Sequence, residues 1–400
     1  MTSNTQYKQT EISEIPENWQ FKQASDVLEK IIDYRGKTPP KASFGVPLIT
    51  AKVVKGGRID FSNPEYISEQ TWHKWMTRGL PQLGDIVMTT EAPLGEVAQL
   101  NNVKIGLAQR LLTLRGKHGV LDNAFLKYYL LSFLGQQELM SRATGSVVKG
   151  IKQSEFRKIR ILLPPFAEQQ LIASILSSLD DTIELNRKTN QTLEKIGKAL
   201  FNELFANASD KGELQDIMDF NPKENLSKGV VARYIEMKDL PEDGMWLYSE
   251  MNKPYNGGSK FRNGDSLMAR ITPCLENGKS GFVNSLNEGE VAFGSTEFIV
   301  LRPKDKLYEE FVYYLVRDDE FREYAIRSMV GSSGRQRVQT DAIKQYQLQA
   351  PSIDSVGRFH TLMQSVFQLI KSNAIENEKL AAIRDSLLPR LMSGKLRVKN

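Results

Sequence analysis

The chain is poor in the residues that build disulfide frameworks and metal centres. Its 400 residues hold one cysteine, Cys274, and three histidines, His73, His118 and His360, far apart in sequence. That excludes a disulfide framework and a cysteine-rich zinc site, and it argues against a histidine metal cluster. No apolar run approaches the roughly 18–20 residues of a membrane span. The N-terminal Met1-Thr2-Ser3-Asn4-Thr5-Gln6 has no basic stretch leading into an apolar core, so no signal peptide is expected. Excess charge is scarce too: a net +5 is too small to argue for a nucleic-acid partner by itself. A hydrophobic content of 40% and a charged content of 25% describe an ordinary soluble chain, long enough for two domains with cores of their own. The expectation is a cytoplasmic protein.

Catalytic signatures are missing as well. Gly278-Lys279-Ser280 ends like a phosphate-binding loop, but Pro273 stands where that motif requires glycine. Leu163-Pro164-Pro165-Phe166 has the shape of the Asn/Asp-Pro-Pro-aromatic motif of amino-methyltransferases, with leucine in the place of the side chain that grips the target amine. No glycine-rich strand-to-helix turn offers itself to a nucleotide or to S-adenosylmethionine. The pairs Asp180-Asp181 and Asp318-Asp319 are expected to be exposed helix charges. No catalysis, cofactor or metal is predicted for this chain.

What the sequence does contain is said twice. Lys149-Gly150-Ile151-Lys152-Gln153-Ser154-Glu155 leads through Leu163-Pro164-Pro165 into a long helical pattern. About 186 residues on, Arg335-Gln336-Arg337-Val338-Gln339-Thr340-Asp341 leads through Gln349-Ala350-Pro351 into another. Upstream, Gly84-Asp85 recurs as Gly264-Asp265, and Phe125 with Tyr128-Tyr129 as Phe311 with Tyr313-Tyr314. So long a period indicates a duplicated domain-plus-helix unit rather than a solenoid. The predicted organisation is a domain over residues 1–164, a helix over 165–208, a second domain over 209–350 and a second helix over 351–400.

The first helix reads as one amphipathic element over 166–205. Leu176, Leu179, Ile183, Leu193, Leu200 and Leu204 alternate by four and three, with Asn186 and Asn190 at the intervening seam positions. Adding 187 to these numbers gives Met363, Val366, Ile370, Asn373, Asn377, Leu380, Leu387 and Leu391. Asparagines at matched seam positions cost stability but fix register, which favours mutual pairing of the helices. An antiparallel pair would set two domains about a pseudo-two-fold axis. Forty residues would span about 60 Å, an upper limit for a ruler between two sites on a duplex.

Between the helices the pattern is mixed. Val46–Thr50, Gly84–Thr90, Arg110–Leu114, Asp265–Arg270 and Glu297–Leu301 read as strands, and one helix is expected in each domain, near 123–142 and 308–328. The fold class is α+β. The loop Gly145-Ser146-Val147-Val148-Lys149-Gly150-Ile151-Lys152 and its counterpart Gly331-Ser332-Ser333-Gly334-Arg335-Gln336-Arg337 join backbone freedom to basic and amide side chains, the types that reach phosphates and base edges. Ser154 and Thr340 are expected to cap short helices after them. The candidate DNA contacts are Arg35, Lys37, Lys52, Lys55, Arg58, Arg110, Ser146, Lys149, Lys152, Arg270, Lys279, Ser333, Arg335, Gln336 and Arg337. Charge is uneven: residues 21–164 carry 21 Lys and Arg against 12 Asp and Glu, a net +9, while 213–350 carry 18 against 22, a net −4.

Leu163-Pro164-Pro165-Phe166-Ala167-Glu168-Gln169-Gln170-Leu171-Ile172-Ala173, running on to Leu179-Asp180-Asp181-Thr182-Ile183-Glu184-Leu185-Asn186, closely resembles the central helix of type I restriction-modification specificity subunits. Ile15-Pro16-Glu17-Asn18-Trp19, Arg270-Ile271-Thr272-Pro273-Cys274-Leu275-Glu276-Asn277-Gly278-Lys279 and Leu391-Met392-Ser393-Gly394-Lys395-Leu396-Arg397-Val398 resemble other stretches of that family. The resemblance implies two tandem target-recognition domains, each reading half of a split DNA sequence, joined by two long antiparallel coiled-coil helices that set the spacer. It also implies two methyltransferase subunits and translocating restriction subunits as partners, with S-adenosylmethionine, ATP and magnesium bound by those partners. The second helix departs from the pattern. Pro351-Ser352-Ile353-Asp354-Ser355-Val356 lacks the Glu-Gln-Gln signature, so whatever that signature docks is expected to be weaker there. The alternatives are an enzyme acting on DNA by itself and a coiled-coil adaptor that never touches DNA, the latter suited to the acidic second domain.

Overall fold

The computed structural model describes residues 6–11, 14–34, 36, 38–205, 210–247, 249, 251–332 and 334–398. It divides into two compact units, Met1–Thr182 with Leu380–Asn400, and Ile183–Lys379. The division falls inside two long helices, Phe166–Phe205 and Ile353–Met392, each of 40 residues. Each unit therefore owns part of both helices.

In the first unit an antiparallel sheet runs in the order Leu94–Gln99, Ile86–Thr90, Leu111–Gly116, Leu28–Asp33. The Ile86–Thr90 strand is buried along its whole length because the sheet is covered on both faces. Successive side chains of a strand point to opposite faces. Ile86 and Met88 accordingly join Phe125 and Tyr129 in one core, while Val87 joins Ile49 and Leu107 in another, under a small sheet built on Val46–Ile49. In the second unit the order is Ser280–Phe282, Ser266–Ala269, Phe298–Pro303, Met218–Phe220, the same arrangement. Met268 faces the core of Phe311, and Leu267 and Ala269 face the core of Ile235.

Each sheet is covered by two helices rather than the single helix expected from the sequence. Asn123–Leu131 and Phe133–Ser141 break at Ser132, whose backbone is extended and whose hydroxyl accepts from the Gly135 N–H. Glu309–Val316 and Asp319–Arg327 are separated by Asp318, which caps the second through the N–H groups of Glu320 and Phe321. Serine and aspartate at such points compete with helix continuation by capping the next helix. The tyrosine register also shifts. Phe125 and Phe311 both lie three residues after a helix N-cap, so Tyr128 corresponds to Tyr314, and Tyr129 to Leu315.

Glu168 and Gln169 do their bonding inside the first unit. Glu168 accepts from Trp19 Nε1 at 3.0 Å and from Arg397 Nε at 2.7 Å and Nη2 at 3.0 Å. Gln169 accepts from the Asp122 N–H and donates to the carbonyls of Val120 and Pro164. Glu168 thus fastens the chain's opening and closing segments to the helix, and Gln169 fastens the turn before Asn123–Leu131 to it. On the second helix, with the 187-residue offset, Ser355 and Val356 stand in their places.

Asp180, expected to be an exposed charge, is instead the hub of a half-buried network. It accepts from Tyr128 Oη at 2.7 Å and Arg384 Nη1 at 2.8 Å and lies 3.2 Å from Lys127 Nζ. Burial opposes its ionisation, but bonds from Arg384 and Tyr128 and the charge of Lys127 outweigh it and hold the carboxyl below its usual range. A depressed carboxyl contributes stability that is whole above its unfolded value, 3.8, and is lost as pH falls through the lower folded value. Asp180→Asn is therefore expected to flatten the acid limb of the first unit's stability profile below about pH 4. Urea unfolding of both proteins at pH 3 and pH 7 checks this. Equal losses on acidification in both would show that Asp180 carries no share of the slope.

In the second unit the two long helices run antiparallel, stitched by the asparagines. Asn373 Nδ2 donates to Asn190 Oδ1 at 2.8 Å, and Asn186 Nδ2 donates to Asn377 Oδ1 at 3.1 Å, so four residues forward on one helix meet four back on the other. Asn190 also donates to the carbonyl of Ile370. Ile183, Met363, Phe367 and Ile370 are buried along this stretch, while Leu193 and Val366 are half-buried. In the first unit Leu176 is buried with Leu391, Leu387 packs against the same core, and Leu179 and Leu380 are half-buried.

Candidate nucleic-acid interface

The sequence places its two basic loops after the helical hairpins, and in each unit that loop returns to the end of a central strand. In the first, Thr144 and Gly150 exchange both backbone hydrogen bonds, and the Ile151 N–H donates to the Thr90 carbonyl. The Thr90 N–H donates in turn to the carbonyl of Arg110. Three segments thus meet: the end of Ile86–Thr90, the start of Leu111–Gly116 and the returning loop. Arg110 has a left-handed backbone, φ 71°, uncommon for a residue with a side chain. Its Nε lies 2.8 Å from Glu91 Oε1, and both side chains are about half exposed. A cleft of about 320 Å³ opens here, lined by Gly36, Thr90, Glu91, Gln109, Arg110, Thr144, Val148, Gly150, Ile151 and Lys152.

The second unit builds the same junction with its charges rearranged. Val330 and Arg337 exchange both backbone bonds, the Val338 N–H donates to the Arg270 carbonyl, and the Arg270 N–H donates to that of Glu297. Position by position, Thr90 corresponds to Arg270, Glu91 to Ile271, Arg110 to Glu297 and Gly150 to Arg337. Arg337 grips Glu297 through Nε at 3.0 Å and Nη2 at 2.7 Å. That bond holds the Glu297 carboxyl below its usual range. Arg270 reaches only to 3.9 Å from the same carboxylate, and its Nε is buried without a hydrogen-bond partner among the described residues.

The other candidates fall into groups. Ser146 and Lys149 are exposed on the first loop, and Lys152 lines the cleft and forms the N-cap of the short helix Gln153–Phe156. In the second unit Gln339 is the N-cap of Thr340–Lys344. Ser154 and Thr340 therefore lie inside these helices and do not cap them, because the extended backbone that precedes each helix falls on Lys152 and Gln339. Arg335 is exposed, and Gln336 is held by its backbone to Thr272. Lys52, Lys55 and Arg58 are exposed on and before a separate hairpin, Val54–Lys55 with Arg58–Ile59, packed on Leu94–Gln99. Lys279 turns inward and donates to the carbonyls of Met237 and Leu240, which removes it from the freely exposed cations. Arg35, Lys37 and Ser333 lie outside the described residues. Sequence reasoning looked for cations and so passed over Glu91 and Glu297. Carrying the Gly84–Gly264 equivalence forward would have placed Glu91 beside Ile271.

No helix is long and apolar enough to cross a membrane, and no group of potential metal ligands occurs among the described residues. Residues 16–195 match the model of the type I restriction modification DNA specificity domain. The chain is 28% identical to the type I restriction enzyme MjaIX specificity subunit of Methanocaldococcus jannaschii, over 98% of this chain and 97% of that one. It is 22% identical to the MjaVIII specificity subunit of the same organism, over 96% and 95%. A crystal structure of a type I restriction-modification S subunit from M. genitalium shares the fold, with a TM-score of 0.58 and 16% identity over 94% of this chain and 96% of that one. In its first domain and central helix, and along most of its length, the chain is thus similar to the specificity subunits of type I restriction-modification systems, one of which shares its fold.

Proposed function

We propose that each unit reads one half of a split DNA sequence, and that the chain serves as the scaffold on which two modification subunits, and in a larger complex restriction subunits, assemble. The observation that carries this reading is the repetition of one junction in both units: an arginine held by a carboxylate where the basic loop returns to the corresponding sheet, the arginine coming from the strand start in the first and from the loop in the second. Arginine beside a glycine-containing loop is suited to base edges, and the exposed Lys149, Lys152 and Arg335 around it are suited to phosphates. Methyl transfer and DNA cleavage, with S-adenosylmethionine, ATP and magnesium, belong in this reading to the partners. Binding carried by such cations weakens steeply with salt.

The test is the methylome of a host without its own methyltransferases that expresses this chain with its cognate modification subunit. A split motif methylated at adenine in both halves is the expected result. Inserting one heptad between Asn190 and Leu193 is expected to change the permitted spacer while leaving both half-site sequences as they were. An unchanged spacer would overturn the idea of the helices as a ruler. The acidic balance of the second unit favours the other reading, an adaptor that touches no DNA. A stable, active complex that leaves no methylation pattern would support it.

A further inference from the structure

Two kinds of ion pair recur at equivalent places in the two units, and they differ in what is kept. Asp85 with Arg115 and Asp265 with Arg302 are the same residues in both, each acid 1% exposed and bound through two nitrogens of its arginine. They tie together the same two strands of each sheet. At the exposed junction the identities are exchanged. The first unit has its acid at the end of the central strand, Glu91, and its base at the start of the neighbouring one, Arg110. The second has its acid, Glu297, where Arg110 stood, and takes its base from the loop, Arg337, where the first has Gly150. Gly150 packs against Glu91, with an added Cβ only 3.3 Å from the Glu91 Cβ, so the loop makes room for the acid that the second unit lacks there. A pair needed only to hold the sheet has no reason to trade places on a copied backbone. A surface that meets a different base step in each half has one.

We propose that Arg110 and Arg337 are the specificity-determining residues of the two half-sites, each reading a guanine in the major groove, with Glu91 and Glu297 fixing the guanidinium. The inference rests on the DNA-reading function above and names its chemistry. A guanidinium has two hydrogen-bonding edges. In Arg337 the side-on edge, Nε with Nη2, is taken by Glu297; in Arg110 the Nε faces Glu91. The end-on edge, Nη1 with Nη2, matches the O6 and N7 acceptors of guanine, and the carboxylate removes the rotational freedom that would blur the choice.

Full-length Arg110→Ala, Arg337→Ala and Arg337→Lys, each expressed with the cognate modification subunit, can be read by methylome sequencing beside the parent chain. The parent is expected to show a guanine in each half. Arg110→Ala is expected to make one guanine position in one half degenerate, the preference there falling roughly ten-fold to a hundred-fold, while the other half stays strict. Arg337→Ala is expected to do the same in the opposite half. Arg337→Lys keeps the charge but loses the fork, so it is expected to relax the same position, and it decides the matter if the alanine variant fails to fold. Variants that methylate less but keep both halves strict would mean phosphate contact or packing and would overturn the proposal, as would a parent half-site without guanine. A parent chain giving no split motif at all would instead remove the DNA-reading function on which it rests.

Discussion

Glu168→Ala is expected to destabilise the first unit by about 3–5 kcal/mol, the range for removing one partner of a buried ion pair. Glu168 is 7% exposed, and three donors converge on its carboxylate: the Trp19 indole and two nitrogens of Arg397. Arg397 also lies over the Trp19 ring, 5.7 Å from its centre. Alanine would leave the guanidinium and the indole N–H without their acceptor in a site that excludes most water. Glu168 lies in the first turn of its helix as well, where a negative charge suits the exposed backbone N–H groups. Glu168→Gln keeps an acceptor for Trp19 and loses the charge that Arg397 needs, so a smaller loss is expected from it. The measurement is the urea midpoint of the transition reported by tryptophan fluorescence. A loss under about 1 kcal/mol would place this contact among ordinary surface pairs and remove its role in closing the unit.

The seam asparagines and the boundaries of the first long helix were legible because both follow local rules. Heptad spacing marks the buried stripe, Pro164-Pro165 precedes the first turn, and the helix runs Phe166–Phe205 as the pattern predicts. The duplication was legible because Gly-Asp and the basic loops survive in both halves. The breaks at Ser132 and Asp318 were not: the apolar pattern continues across Ser132, the charged run at Asp318 reads equally as an exposed helix face, and only the cap geometry shows the interruptions. Asp180 was misjudged for a related reason. Asp180-Asp181 is polar in composition, and its partners Tyr128 and Arg384 are 52 and 204 residues away. The junction was half legible: Arg110 and Arg337 carry charges that can be sought, but their pairing with Glu91 and Glu297 depends on three segments meeting in space.

Gly197→Ala is expected to cost stability, against the usual direction for a helix. In an ordinary helix interior the exchange gains about 1 kcal/mol, because alanine loses less backbone entropy. Here an added Cβ would stand 1.9 Å from Tyr314 Oη, 2.4 Å from its Cζ and 2.6 Å from Met363 Cε. The tyrosine ring has little room to retreat, being packed against Tyr313, Phe359, Phe367 and Phe201 with centroid distances of 5.1–6.1 Å. Overpacking of this kind costs about 1–3 kcal/mol and so offsets or exceeds the propensity gain. The Tyr314 hydroxyl is buried without a hydrogen-bond partner among the described residues, so Tyr314→Phe is expected to be neutral or stabilising by itself. Tyr314→Phe also removes the atom nearest the new methyl and should recover part of the loss in the double variant, with a coupling of at least about 0.5 kcal/mol. Four urea titrations, of the parent, both single variants and the double, complete the cycle. A Gly197→Ala protein more stable than its parent would show that Tyr314 can withdraw, and that the glycine here serves no close approach.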